Sequence, residues 1–147
     1  MGEAVYYIGA TFKSKKHTER VFKEFQSLNK EGQQAYKFWQ AHRGENSEKF
    51  SEAFIQNFPV VCNFLGELPK DSNNGYAGRL NFIDEENDGS ISLHETTITA
   101  SATVWHFADW DDFEIWFKER DALRVVCFSD EYTDLNELLY YKLLDTR

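Results

Sequence analysis

Carboxylates at Asp84, Glu86 and Asp88, a hydroxyl at Ser90 and a further carboxylate at Glu95 stand at the spacing with which an EF-hand loop encircles calcium. Gly89 falls at the sharp turn of that pattern and Ile91 at its inward-facing position. An EF-hand also needs a helix on either side. Here residues 79–83 before the loop and 96–107 after it are rich in β-branched and aromatic side chains, which favour strands. A strand rises about 3.3 Å per residue, so it would carry Glu95 away from the turn, where a helix start would bring it back. The sequence therefore predicts a hairpin with Asn87, Asp88 and Gly89 at its positive-φ turn and the acids pointing into water. On this reading no metal or cofactor is held, and a calcium- or ligand-responsive loop over residues 84–95 is the alternative.

Other reactive constellations are sparse. No two of His17, His42, His94 and His106 stand at the three- or four-residue spacing of a helical zinc site. The glycines do not form a phosphate-binding loop, and there is no Gly-x-Ser-x-Gly turn. His106 with Asp109 and Asp111 would make an acid/base pair at a strand end, yet a helix cap accounts for Asp109 without further assumptions. Catalytic residues are thus not assigned; a small enzyme using His106 and a nearby carboxylate stays as a second alternative.

The aromatic side chains are the larger resource. Trp105, Phe107, Trp110, Phe113, Trp116 and Phe117 crowd one short segment, rimmed by Asp109, Asp111, Asp112 and Glu114. Core packing would absorb them, since large aromatics dominate burial. Any that stay exposed would suit a protein interface with acidic steering, which makes Trp105, Asp109, Trp110, Asp111 and Asp112 the candidate partner-binding residues.

Charge narrows the partner. The formal net charge is −9, and it is uneven: residues 1–57 hold nine Lys or Arg against seven Asp or Glu, whereas residues 58–147 hold seven against eighteen. Such a surface repels nucleic-acid phosphates and membrane headgroups and would steer a basic protein toward the C-terminal half. No apolar run is long enough for a membrane helix, and residues 1–4 lack the basic region of a signal peptide, so a cytoplasmic protein is expected. Cys62 and Cys127 each lie in an apolar run and are expected as buried thiols.

These residues need elements to position them. At 147 residues one domain is expected, with a helical block over about 14–58 and a β-rich part over about 60–132. Alternation over residues 4–12 predicts a first strand. Ser14 then caps a helix carrying Val21, Phe22, Phe25 and Leu28 on one stripe, which Gly32 interrupts or ends. A second helix covers 33–43, with Gly44 as its stop, and a third begins at Asn46 or Ser47 and runs to Pro59. Residues 60–65 read as a short buried strand, 66–78 as a loop, 80–83 as a strand and part of 90–107 as a longer one. Asp109 caps a helix that ends at Asp121 and Ala122, and 123–128 is the last clear strand. Residues 134–144 fit a helix or an edge strand.

The order is close to βαββαβ with an enlarged first crossover. It predicts an α+β, ferredoxin-like sandwich, a mainly antiparallel sheet with helices on one face and the other face free for a partner. Residues 79–132 resemble the C-terminal half of the YubB-like ferredoxin-like proteins of mobile elements. The resemblance rests on Val104 and Trp105 at a strand end, the helix over 112–119, the strand over 123–128 and the acidic, tyrosine-bearing end Ser129, Asp130, Glu131 and Tyr132. The proline usual after that tryptophan is absent. Together these features predict a small, acidic, non-enzymatic protein that binds another protein, of inhibitor, immunity or antidefence type.

Overall fold

In the computed structural model, residues 4–42, 48–66, 82–85, 89–104 and 110–129 are described. The architecture is α+β: β1 (Ala4–Thr11), α1 (Lys15–Ala41), α2 (Glu48–Asn57), α3 (Pro59–Leu65), β2 (Ser90–His94), β3 (Thr97–Val104), α4 (Trp110–Glu119) and β4 (Arg124–Ser129). The four strands form one sheet in the order β2-β3-β1-β4, antiparallel at every pairing. The chain divides into two compact units, Met1–Gln26 with Ile83–Arg147, and Ser27–Phe82.

The first unit is built on period two. Tyr6, Ile8, Ala10 and Phe12 are buried, while their neighbours along β1 are half-buried or exposed. The registers place Ile8 between Ala100 and Cys127, and Ala10 between Ile98 and Val125, so the buried positions share one face. α1 and α4 bring an aromatic cluster to this core: the Phe25 ring lies 4.8 Å from Phe117 and 5.7 Å from Phe113, and Phe12 lies 6.2 Å from Phe117. Phe113, Trp116 and Phe117 are thus core residues. Ser14 caps α1 as its sequence predicts, accepting from the His17 amide at 3.2 Å. α4 is followed by Asp121 in the left-handed region (φ 67°).

The second unit packs by helical spacing. Phe38 of α1 meets Phe50, Phe54 and Phe58 at 5.5–6.1 Å between ring centres, and Phe50, Phe54 and Phe58 recur at every fourth position. Glu31 reaches the start of α3, where its carboxylate accepts from the Val61 amide at 2.7 Å. A left-handed Gly66 (φ 70°) closes α3 with its N–H bonded to the Cys62 carbonyl.

Four sequence expectations are corrected. Gly32 does not interrupt the first helix, because α1 is one helix of 27 residues that also takes in most of the expected second helix. Gly32 serves packing instead: a Cβ there would fall 2.2 Å from Cγ of Phe82, so only glycine admits that ring. The expected strand over 60–65 is helix α3. Pro59 sits in its first turn, where its missing N–H costs nothing, and Val61, Cys62 and Leu65 are buried at helical spacing. Phe82 and Ile83, expected to end a strand over 80–83, are buried but belong to no strand; Leu80 and Asn81 lie outside the described residues.

The hairpin turn is also displaced. β2 and β3 are joined by Glu95 and Thr96, with Glu95 at φ 56°, so the single long strand expected after Ser90 is two strands. Asn87 and Asp88 lie outside the described residues, and the Gly89 amide donates to the Asp84 carbonyl at 2.8 Å. A Cβ on Gly89 would lie 2.3 Å from that oxygen, which is the reason for glycine here. The expected cap Asp109 and the segment 134–144 lie outside the described residues.

Candidate functional site

The strand registers that bury one sheet face assemble a different surface on the other. β1 contributes Tyr7, Gly9 and Thr11, and β3 sets Ser101, Thr99 and Thr97 beside them. β2 continues the rows with Ser90, Ser92 and His94, and β4 adds Val126 and Arg124. Hydroxyls therefore line this face in rows about 4.8 Å apart. Thr11 and Thr97 approach to 3.4 Å between their Oγ1 atoms. Tyr7 is 38% exposed near the middle, and Thr99, Ser90, His94 and Arg124 are exposed. Among the described residues of this face there is no carboxylate, although the chain carries a net charge of −9.

The acidic loop is not an EF-hand among the described residues. Its last ligand position, Glu95, is carried to the opposite end of β2 from Gly89, a separation of about 17 Å for a strand of this length. The Glu95 side chain is 82% exposed and lies 4.0 Å from Lys15. No group of three His, Cys, Asp or Glu side chains among the described residues could hold a metal ion. Ile91 is buried, but as a strand residue rather than as the inward position of a calcium loop.

Of the predicted partner-binding residues, Trp110 and Asp111 open α4 and Asp112 follows them, half-buried. Trp105 and Asp109 lie outside the described residues, as does His106. The buried Phe113, Trp116 and Phe117 take no part in an exposed aromatic patch.

Two arrangements went unread in the sequence. His17 links α1 to the turn after α4: its Nε2 donates to the Arg120 carbonyl at 2.7 Å, and its Nδ1 accepts from the Arg20 guanidinium at 2.8 Å. Arg120 itself stacks over Trp116 at 3.8 Å and lies 3.6 Å from Glu24. The Arg20 and Trp116 contacts are local, but no local signal announces those that join His17 and Glu24 to Arg120. The hydroxyl-rich face was readable, because Thr97, Thr99, Ser101 and Thr103 alternate with apolar residues in the manner of a strand with one polar face.

Cys62 is the thiol with a perturbed environment. Burial pushes its pKa up, and the nearby Glu31 carboxylate pushes it further, so the group is held as a thiol rather than a nucleophilic thiolate. Neither cysteine is in a disulfide; Cys62 is buried and Cys127 half-buried. The chain matches no family model, no curated protein and no solved structure.

Proposed function

We propose that this chain is a non-enzymatic, ferredoxin-like binding protein that receives another protein on its hydroxyl-rich sheet face, with the acidic segment 105–116 steering the approach. Cytoplasmic inhibitors, immunity proteins and antidefence proteins are the types that fit. The strand order β2-β3-β1-β4 supports the architecture, since helices connect β1 to β2 and α4 connects β3 to β4. The observation that carries the binding role is the face itself. It presents an exposed Tyr7 among Thr and Ser hydroxyls, without a carboxylate among its described residues, on an otherwise acidic chain. Tyrosine offers a large, rigid contact area with a polar tip, and neighbouring hydroxyls can donate to or accept from a partner's main chain.

The test is affinity capture with wild type, with Tyr7→Ala combined with Thr99→Glu, and with Asp112→Lys. The face variant is expected to lose at least about tenfold of the captured partner, and the charge variant to slow capture more than it weakens it. Identical partners in identical amounts from all three proteins would show that the face is a plain solvated surface.

A further inference from the structure

We infer that the outer edge of β2 is a strand-addition site whose occupant is an extended segment of a partner protein, with alternating apolar residues and Lys or Arg at both ends. This rests on the protein-binding reading but concerns the sheet's edge rather than its face. The register decides which backbone groups are available. His94 pairs with Thr97 across the two-residue turn, so His94, Ser92 and Ser90 exchange the ladder bonds with β3. The N–H and C=O groups of Ile91 and Leu93 therefore point away from β3, and β2 ends the sheet on that side among the described residues. Main-chain groups at such an edge are a template for another strand.

Natural edges are commonly blunted by proline, lysine or an inward charge, and β2 has none of these; His94 is its one titratable side chain. Ile91 is buried and Leu93 half-buried on the core side, with Ser92 on the hydroxyl-rich side. An added strand would set every second side chain beside Ile91 and Leu93, lengthening the apolar core by one row.

Charge at the two ends selects the occupant. Asp84 and Glu85 stand before β2, with Asp84 tied to Gly89 at 2.8 Å, and Glu95 stands after it. Lys15 lies 4.0 Å from Glu95, and both side chains are largely exposed, so that end stays open to a competing cation. An antiparallel segment with basic ends would meet opposite charge at both. A second copy of this chain is a poorer occupant, because antiparallel pairing of two β2 strands would bring each Glu95 toward the other's acidic loop.

The probe is a synthetic peptide of alternating Val and Thr with a Lys pair at each end, added to the full-length protein while amide exchange is followed by NMR. The peptide is expected to slow exchange at Ile91 and Leu93 by at least about tenfold, and a Glu-ended peptide to bind about tenfold more weakly. N-methylation of alternate peptide amides, or Leu93→Pro, should abolish the effect, since Leu93→Pro removes an outward N–H but no ladder bond. Unchanged exchange at Ile91 and Leu93 under a large peptide excess overturns the proposal. So does protection of those amides in peptide-free protein as concentration rises, which would make the occupant a second copy. Should the Tyr7 and Thr99 variant lose its captured partner while the peptide leaves β2 untouched, the edge fails and the protein-binding reading survives. Peptide protection of β2 with capture unaffected at the face keeps the edge and removes the face.

Discussion

In the sheet unit, Phe12 just after β1 and Phe25 of α1 meet Phe113 and Phe117 of α4, which lie most of the chain away. In the helical unit, Phe50, Phe54 and Phe58 are four residues apart and meet Phe38 from the helix before them. Both units thus make aromatic cores, but one closes long loops and the other adds neighbouring turns. Loop closure must be offset by the contacts it brings, so the sheet unit depends more heavily on its central side chain. That side chain is Phe25, which is fully buried and lies within 6 Å of three rings.

The largest predicted effect follows. Phe25→Ala is expected to cost about 3–5 kcal/mol in urea unfolding, whereas Phe38→Ala, at a half-buried site, should cost about half as much. The reverse ranking would mean that the helical unit, and not the closure of the sheet, limits stability. The His17 ring adds to the same core, 5.4 Å between its centre and that of Phe12.

The two units also differ in how much the sequence reveals. Strict alternation over 4–12 and the stripe Val21, Phe25, Leu28 identify β1 and the start of α1 without ambiguity, because each fits a single period. Residues 60–65 do not, since a short apolar run fits a buried strand as well as a helix, and the β-branched Val60 and Val61 tilt the reading to strand. What decides the matter is tertiary: Glu31, thirty residues earlier, supplies the acceptor that starts α3. The break between β2 and β3 was hidden for a similar reason. Glu95 and Thr96 are not usual turn residues, and the acidic Asn-Asp-Gly sequence nearby is a stronger turn signal. The candidate face was legible as alternating Thr and Ser, but not its assembly from four strands.

Gly32 sharpens the comparison through a change of sign. Glycine to alanine inside a helix ordinarily stabilises by about 1 kcal/mol. Here the added methyl would collide with the Phe82 ring, so Gly32→Ala is expected to destabilise by about 1–3 kcal/mol. In a Phe82→Ala background the same substitution should become neutral or favourable, a coupling that a double-mutant cycle measures directly. Additive costs would show that the ring is not what Gly32 accommodates.

The smallest effect lies at Glu31, where one carboxylate caps α3 and raises the Cys62 pKa. Burial is the larger cause of that rise and Glu31 the second. A thiol whose folded pKa exceeds its unfolded value, near 8.5, contributes stability in full below that value and loses it as pH climbs through the folded one. Stability should therefore fall on the alkaline side, and Cys62→Ala should flatten that part of the profile. Glu31→Gln retains an oxygen to accept from Val61 but removes the charge, so it should cost only about 1 kcal/mol at neutral pH. It should also move the thiolate absorbance of Cys62 to lower pH, while the sheet unit's amide protection stays as in wild type. An unmoved thiol would separate the two roles of Glu31, leaving it a helix cap and removing its electrostatic hold on Cys62.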